Sequence, residues 1–416
     1  MLIGLVAKEE GKRPARRFDK AKDVGPTVRH GGVEVNRQDA KSAKGKGAWA
    51  PVFSITPKVA KGLLRIEAVR TEVAHIPLPP PVEAELRRQA RVRSTHFSTR
   101  IEGNRLTLDE AERVIQDDRV IFQERERDVS EVRNYWNARL RVEEWAEAGR
   151  VVTEDLIRRL HALVEKGTRA RPTPYREGQN AIRDAGSGAL VYLPPEAKDV
   201  PELMSTLVAW IESALRTDIP VAIVAGLAHY QFVTIHPYYD GNGRTARLLA
   251  TFLLHRYGYG LNGFLSVEEF YARDLPGYYA ALAIHPHHNY YMGRAEADVS
   301  GWIEYFTGTL ANTFEAVAVE ARRLVKAGMK TEPACLRCLD RRARTVLALF
   351  ARKERIGASD VAEVLGLSDR MARVLLKAWT AEGWLVVADP SRKARAYELS
   401  ATYRQYMDGL SAMTGG

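Results

Sequence analysis

Apolar residues recur at helical spacing along most of the chain between residues 49 and 330. A Thr-Pro pair opens the stretch TPKVAKGLLRIEAVRTEV, which predicts the first ordered helix. PLPPPV at 77–82 interrupts this pattern, because successive prolines cannot continue a helix. Helical spacing resumes in EAELRRQARVRSTHFSTRIEGN and ends at Gly103, a residue type suited to helix termination. The pattern therefore predicts two N-terminal helices separated by a proline-rich break.

Helical periodicity also dominates the following two hundred or so residues, with one interruption. Thr107 and Glu110 have the spacing of a capping box, which predicts a helix start, and the pattern stays helical to about Leu163. Residues 171–195 are instead rich in Arg, Gly and Pro and end in GSGALVYLPP, so we expect a short β-hairpin there. Three apolar helical stretches follow: VPELMSTLVAWIESAL, PVAIVAGLAHYQFVTI and GRTARLLATFLLHRYG.

The C-terminal segment, residues 335–416, has a pattern of its own. Ser359 and Ser368 are each placed to cap a helix, and Gly366 provides a turn between the two. WLVVADPSRKARAYEL then predicts two strands around a basic turn. Helix, turn, helix and hairpin in this order are typical of a winged helix-turn-helix domain, an α+β fold.

The formal net charge of +10 is concentrated at the two ends of the chain. Residues 1–48 carry 12 Lys/Arg against 6 Asp/Glu, and residues 335–416 carry 14 against 9, so the middle is close to neutral. Basic ends around a neutral body fit a polyanionic partner such as nucleic acid. For residues 1–48 we favour a solvated, disordered tail, because this Lys/Gly-rich segment has no periodicity and too little apolar surface to fold.

The basic residues of the C-terminal segment share one face. Arg370, Arg373 and Lys377 follow three- and four-residue spacing on the second helix, where a recognition helix would meet a major groove. The predicted wing adds three more basic side chains: Arg392, Lys393 and Arg395. DNA binding is our hypothesis for this segment. A protein-docking module with a charged surface is the alternative.

Two classes of protein are disfavoured. No stretch approaches the length of a membrane span and no basic leader precedes the first apolar residues, so we expect a cytoplasmic protein without a membrane anchor. Two cysteines cannot build a disulfide framework. Cys335 and Cys338 form a C-x-x-C pair, but a zinc site needs a second pair of ligands and the flanking sequence shows none.

The candidate chemistry lies in HPYYDGNGR, residues 236–244, directly before a predicted amphipathic helix. The amides of Gly241, Asn242 and Gly243 therefore lie at a helix N-terminus, where free N–H groups and the helix dipole favour anions. Arg244 and Arg247, three positions apart in the first turn, are suited to hold phosphate oxygens in two-point contacts. This arrangement predicts a polyphosphate site.

Two further residues supply the chemistry of the cluster. Asp240 is a hard oxygen ligand suited to a Mg²⁺ ion that bridges phosphates. His236 is the group that can accept a proton near neutral pH. Together they indicate a site in which a hydroxyl is deprotonated and attacks phosphorus, that is, phosphoryl or nucleotidyl transfer. No Walker A or Rossmann pattern competes for the nucleotide.

HPYYDGNGRTAR resembles the signature of the Fic family (filamentation induced by cAMP), His-x-Phe-x-Asp/Glu-Gly-Asn-Gly-Arg-x-x-Arg, with Tyr238 in place of Phe. The resemblance extends from about Ile55 to Thr309. It implies an all-α Fic fold with a small β-hairpin flap, and transfer of AMP from ATP, with Mg²⁺, to a Ser, Thr or Tyr hydroxyl of a target protein. It implies His236 as the base, Asp240 as the metal ligand, and a nucleotide site formed by Gly241, Asn242, Gly243, Arg244, Thr245, Ala246 and Arg247.

Three other stretches extend the resemblance. PGYYAAL resembles a stretch near the adenine, so either Tyr278 or Tyr279 is a candidate wall for the base, and a core role is equally open for both. STRIEGN resembles the inhibitory motif of the class with an N-terminal inhibitory helix, here about 84–103. It is met by Ser98, Glu102 and Gly103. The third stretch resembles the family's flap, about 186–195, which docks a target strand through Gly188, Ala189, Leu190, Val191 and Tyr192.

These patterns predict four regions: a tail at 1–48, a helical region at 49–165, a Fic core at 166–330 and a winged helix at 335–416. The first interpretation is an autoinhibited protein adenylyltransferase. The second is a DNA-binding regulator in which the Fic core has become an ATP sensor. Intact His236 and Asp240 favour the enzyme, since a sensor needs neither base nor metal ligand. Other donors, removal of AMP by the inhibitory glutamate, and a homodimer stay open.

Overall fold

The computed structural model describes residues 49–76, 78, 80–168, 171–183, 187–284, 287–326, 339–351, 353–389, 391 and 395–404. Cys335 and Cys338, and the wing residues Arg392 and Lys393, lie outside these ranges, as does the tail at 1–48. The described residues divide into two compact units. One is drawn from Met1–Ala74 and Ala90–Val317, the other from His75–Gln89 and Ala318–Gly416.

Helices make up most of the described chain, as the apolar periodicity predicts. Five helices precede the hairpin: α1 (Pro57–Ala74), α2 (Pro80–Ile101), α3 (Leu108–Gln116), α4 (Glu126–Glu147) and α5 (Glu154–Lys166). The next six are α6 (Val200–Ala214), α7 (Val221–Ile235), α8 (Asn242–Arg256), α9 (Glu268–Arg273), α10 (Leu275–Leu282) and α11 (Ser300–Lys326). Within this part, β1 (Ile182–Arg183) and β2 (Leu190–Tyr192) pair antiparallel, which confirms the expected hairpin.

Helix ends follow the local chemistry of the sequence. Thr107 and Glu110 form the predicted capping box, in which the Glu110 amide donates to Thr107 Oγ1 at 3.2 Å and the Thr107 amide donates to Glu110 Oε2 at 2.9 Å. Gly103 ends the turn after α2 with φ 95°, a left-handed angle that glycine adopts readily. The break expected at 77–82 is shorter than predicted, because α2 already begins at Pro80 and proline is tolerated in a first helical turn.

The core of the first unit is built around α7 and α8. Almost every side chain of α7 is buried, which explains why its sequence is apolar on all sides instead of in one stripe. Helices α7 and α8 are joined by residues 236–241, so their apolar packing fixes both ends of the candidate loop.

Among the described residues, no helix combines the length and the apolar character needed to cross a membrane.

The C-terminal unit contains α12 (Arg341–Leu347), α13 (Ala358–Leu365) and α14 (Asp369–Ala381), followed by the antiparallel strands β3 (Leu385–Asp389) and β4 (Ala396–Leu399). Ser368 caps α14 as expected, and Gly366 has φ 62° after α13. The cap assigned to Ser359 is wrong. The helix begins at Ala358 with Gly357 as its N-cap, two residues before the predicted cap, and Asp360 Oδ2 accepts the Gly357 amide at 2.6 Å, which satisfies the free donor at this helix start.

Candidate functional site

The motif loop, residues 236–241, is held in shape by two left-handed residues and one amide side chain. His236 ends α7 at φ 52°, and Gly241 precedes α8 at φ 73°. Asn242 Oδ1 accepts the Tyr238 amide at 3.0 Å while its Nδ2 donates to the Tyr238 carbonyl at 2.8 Å. The Asn242 side chain therefore closes the loop, and its backbone begins the helix whose N-terminus is the candidate anion site.

His236 has the protonation state that a base needs. Burial lowers the pKa of its imidazole to about 4, so the ring is neutral at pH 7. Its Nδ1 lies 3.4 Å from the Val233 carbonyl oxygen, which can only accept. Nδ1 therefore carries the proton, and Nε2 carries the lone pair that takes a proton from a substrate.

Glu102 occupies the N-terminal end of α8. A Cβ at Gly243 would overlap the Glu102 carboxylate, so glycine at this position is what lets the carboxylate lie against the backbone. Oε1 of the same carboxylate accepts from Arg247 Nη2 at 2.8 Å. Glu102 thus takes both the helix-terminal position and the arginine that the sequence assigns to phosphate.

Ser98, one turn before Glu102 on α2, completes the contact. Arg247 Nε donates to Ser98 Oγ at 2.8 Å and Nη2 donates to the Ser98 carbonyl at 2.9 Å. Arg247 is only 2% exposed; burial by itself lowers the pKa of its guanidinium, but the Glu102 carboxylate outweighs burial and the net shift is upward. Two of the three predicted inhibitory-motif residues, Ser98 and Glu102, are therefore in direct contact with the second arginine of the signature.

Arg244 points away from Arg247, into a group of carboxylates. It is buried, and its Nη2 lies 2.9 Å from Glu165 Oε1 and 3.3 Å from Asp240 Oδ1. Burial raises the pKa of the Glu165 carboxyl, although the Arg244 charge opposes this. A Cβ at Gly241 would also meet Glu165, so this glutamate packs against the loop. Sequence reasoning missed Glu165, because it lies far from the motif along the chain on α5.

The Asp240 carboxylate is suited to bind a magnesium ion. Its Oδ1 accepts the Gly241 amide at 2.6 Å, and its Oδ2 accepts from Arg127, an exposed side chain that can turn away, at 3.2 Å. Mg²⁺ is commonly bound through one or two carboxylates together with substrate phosphates and water. Within the described ranges, no group of three or more His, Cys, Asp or Glu side chains is placed to hold a metal ion.

His161 on α5 supports the same loop. Its ring stacks on Tyr238 with centroids 3.6 Å apart, and its Nε2–H donates to the Asp240 carbonyl at 2.9 Å. Burial lowers the pKa of His161 to about 4, so the ring is neutral. The Tyr238 hydroxyl is buried and has no hydrogen-bond partner among the described residues.

The remaining nucleotide-site candidates are less accessible. Thr245 and Ala246 are fully buried in α8. Tyr278 is also buried and its hydroxyl lies 3.1 Å from His229 Nε2, an arrangement that favours the core alternative for this tyrosine. Tyr279 donates to the Ile101 carbonyl at 3.3 Å, at the C-terminal end of α2.

The flap candidates form the turn and second strand of the hairpin. Gly188 and Ala189 lie in the exposed turn, Leu190 is 42% exposed, and Tyr192 is buried with its hydroxyl donating to the Thr234 carbonyl at 2.7 Å. The outer edge of the strand near Val191 is partly covered, because His288 Nδ1 donates to the Val191 carbonyl at 2.6 Å.

The four DNA-binding candidates within the described ranges are exposed. Arg370 and Lys377 lie on the solvent side of α14 with Arg373, whose guanidinium is 3.8 Å from Asp369. Arg395, just before β4, is exposed as well.

The family model described as Fic/DOC family matches residues 151–254, a range that includes α5, the hairpin, the motif loop and most of α8. Proteins named protein adenylyltransferase Fic from Drosophila willistoni and Drosophila melanogaster are each 44% identical over 68 residues, which is 16% of this chain and 14% of theirs. The chain thus spans about a seventh of the length of these curated relatives.

Solved structures agree in fold. A Fic family protein from Desulfovibrio desulfuricans superposes with TM-score 0.53 at 24% identity, over 85% of this chain and 99% of that one. A Fic domain containing signaling protein from Bacteroides thetaiotaomicron gives TM-score 0.53 at 21% identity, over 64% and 97%. The expected helical Fic fold is confirmed, while the winged-helix assignment stays a prediction. The chain carries a domain of the Fic/DOC family.

Proposed function

We propose that this protein is a protein adenylyltransferase, which transfers AMP from ATP to a hydroxyl of a target protein and releases pyrophosphate. One observation carries the proposal. A neutral His236, the Asp240 carboxylate and the glycine-lined start of α8 belong to one short loop whose ends are fixed by buried helices. The names of the curated relatives support the same activity.

The chain's own groups suit each part of this reaction. His236 Nε2 takes the proton of the attacking Ser, Thr or Tyr hydroxyl. The new bond joins that oxygen to the α-phosphorus of ATP, and the bond to the β-phosphate oxygen breaks, so pyrophosphate leaves. The amides at the start of α8 and the Arg247 guanidinium stabilise the phosphate charge. A magnesium ion on Asp240, when bound, would neutralise further charge on the phosphates.

The contact between Glu102 and Arg247 supports autoinhibition as part of the proposal. The carboxylate pairs with the arginine that would orient the terminal phosphate, and it lies against Gly243, where phosphate oxygens would approach the backbone. ATP bound beside this negative charge would be held with its α-phosphorus misaligned for attack. Activity at rest is therefore expected to be low. Removal of AMP by the same carboxylate stays an alternative outcome of this site.

The decisive experiment follows label from α-³²P-ATP, with γ-³²P-ATP as control, into protein in a cell lysate. We expect α-label alone, raised roughly tenfold or more in Glu102→Gly and reduced about 10²- to 10⁴-fold in His236→Ala. Glu102→Gln, which keeps the size of the side chain but removes its charge, is the matched control for autoinhibition. Equal label in Glu102→Gly and wild type would contradict autoinhibition by Glu102. No label in any variant would favour another nucleotide donor or the ATP sensor.

The C-terminal unit supports a DNA-binding role beside the transfer reaction. Its exposed basic side chains on α14 and its two antiparallel strands are the features on which this role depends. Two exposed apolar side chains on the same helix, Met371 and Val374, favour the alternative of a protein partner.

A further inference from the structure

A short segment, residues 176–180, lies between the motif loop and the base of the flap, and we call it the strap. Its residues donate hydrogen bonds in both directions. Toward the motif loop, the Arg176 amide donates to the Pro237 carbonyl at 2.9 Å and Asn180 Nδ2 donates to the Tyr238 carbonyl at 3.1 Å. Toward the flap, Gln179 Nε2 donates to the Pro194 carbonyl at 2.9 Å. The strap thus bridges two parts of the candidate site that are more than 40 residues apart in sequence.

Arg176 is the central residue of this bridge. Its Nε donates to the His236 carbonyl at 3.0 Å, its Nη1 to the Gly178 carbonyl at 3.0 Å, and its Nη2 to the Pro195 carbonyl. The side chain is only 3% exposed, and within the described part of the chain it forms no ion pair with a carboxylate. Burial lowers the pKa of the guanidinium, so keeping this charge inside costs folding free energy. An arginine retained at such a cost beside a candidate base indicates a role in the site.

The backbone of His236 needs a restraint of this kind. Its φ of 52° lies in the left-handed region, which is strained for an L-residue with a side chain. The strained residue is held at two successive carbonyls, because Arg176 binds the His236 carbonyl through its side chain and the Pro237 carbonyl through its amide. Without these bonds the loop is free to relax toward an ordinary conformation, and the imidazole would move with it.

We propose that Arg176 is a positioning residue, which fixes the His236 backbone for catalysis and ties it to the base of the flap. A target segment that docks on the flap would thereby be aligned with the base through one guanidinium. The inference rests on the proposed adenylyl transfer and adds a residue to it. Arg176 touches neither the reacting atoms nor the anion site at the start of α8.

The charge of Arg176 acts in the same direction as its hydrogen bonds. Three charged groups act on the His236 imidazole: Arg176 from the strap, Glu102 from the turn that follows α2, and Asp240 from the motif loop. Burial is the main reason for the low pKa of His236, and Arg176 lowers it further while the two carboxylates raise it. The guanidinium therefore favours the neutral, proton-accepting ring.

The test uses the Glu102→Gly protein as parent, and total label from α-³²P-ATP in a fixed amount of lysate as readout. Arg176→Gln should lower the maximal rate about 10- to 100-fold and leave the KM for ATP within about twofold, because the α8 phosphate site is intact. Arg176→Lys keeps the charge and should recover part of the rate. The acid limb of the pH profile should move to higher pH in Arg176→Gln but not in Arg176→Lys.

Arg133→Gln is the matched control, since this arginine also binds backbone carbonyls, those of Asp117, Asp118 and Val120, in a turn outside the site. It should match the parent in rate and KM. Gln179→Ala removes one bond to the base of the flap and one within the strap, to the Asn180 carbonyl, but leaves both bonds from Arg176 to the motif loop; it should lower the rate less than Arg176→Gln does. A raised KM for ATP with an unchanged maximal rate, or parent-like kinetics in Arg176→Gln, would overturn the proposal.

Amide hydrogen exchange separates this inference from the proposed function. Arg176→Gln should speed exchange at both 189–193 and 236–239, with parent-like exchange in α7 and α8 as the check on folding. If the parent incorporates no label, adenylyl transfer fails, while the exchange result still decides the role of Arg176. Unchanged exchange at 236–239 would refute the positioning role even in an active enzyme.

Discussion

The buried hydroxyl of Tyr238 lowers the stability of the fold inside the motif. The Fic signature has phenylalanine at this position, and the tyrosine ring packs as a phenylalanine would, stacked on His161 and 2% exposed. Its extra hydroxyl is buried without a hydrogen-bond partner among the described residues. A buried polar group that makes no hydrogen bond costs about 1–3 kcal/mol, so this side chain is a local loss of stability.

Tyr238→Phe is therefore expected to stabilise the protein, by about 1 kcal/mol, and to leave transfer by the Glu102→Gly parent unchanged. Urea unfolding followed by tryptophan fluorescence measures the first effect, and α-³²P-ATP labelling the second. Tyr175→Phe is the control, because Tyr175 donates to Glu154 Oε2 at 2.9 Å and its loss should destabilise. A destabilised Tyr238→Phe would mean that a bound water satisfies the hydroxyl.

Individual site residues could be predicted where the chemistry is local in sequence. His236, Asp240 and the glycines lie within one loop, and the spacing of STRIEGN was enough to bring Glu102 and Ser98 to Arg247. The partners that could not be predicted come from distant segments. Glu165 and Arg176 look like ordinary charged residues in the sequence, because nothing in their neighbourhood encodes which carbonyl or guanidinium they will meet.

At the scale of elements, helix periodicity and caps were reliable, and the exact ends were less so. Thr107 and Ser368 cap helices because each is followed by a free amide at the right distance. Ser359 does not, since Asp360 satisfies the Gly357 amide first. The sequence also predicted the hairpin, yet the covering of β2 by His288 depends on a contact across nearly 100 residues that no local pattern reveals.

The exposed basic side chains of α14 lead to a prediction about DNA binding and its dependence on salt. Arg370→Ala and Lys377→Ala should each weaken binding to a mixed-sequence DNA duplex and reduce the slope of log K against log salt by about 0.9, one phosphate contact each. Gel shift at several salt concentrations measures both. Arg216→Ala, just after the end of α6, removes an exposed arginine paired with Glu212; it is the matched control and should leave the slope unchanged. No shift at low salt with the unmodified protein would favour the protein-docking alternative.

For the whole molecule, charge is arranged differently at the surface and inside. The net charge of +10 is borne mostly by the ends of the chain, whereas the first unit buries neutral imidazoles. His96, His161 and His229 are almost fully buried, and burial lowers their pKa values to about 4, 4 and 3. Each stabilises the fold only while it is unprotonated, so acid acts on the core directly.

The pH dependence of stability follows from these shifts. An unfolded histidine binds a proton near pH 6.5, while the folded ring stays neutral until about pH 4, so the unfolded state takes up more protons in this window. The free energy of unfolding should therefore fall as pH decreases from 6.5 to 4, by as much as about 1.4 kcal/mol per pH unit for each buried histidine. Glu165, whose carboxyl pKa is raised by burial, opposes the trend but is a single group.

Urea unfolding of the full chain between pH 7 and 4.5 tests this slope, with tryptophan fluorescence as the signal because Trp302 stacks on His229 with centroids 5.0 Å apart. His161→Gln, which keeps a donor for the Asp240 carbonyl, should give a slope shallower by about 1.4 kcal/mol per pH unit. Repeating the series in 0.5 M NaCl is the control, since salt screens exposed charges but leaves a slope caused by burial. Stability independent of pH above 5 would show that the buried rings already bind protons in the folded state, and His236 would then need a different argument for its neutral form.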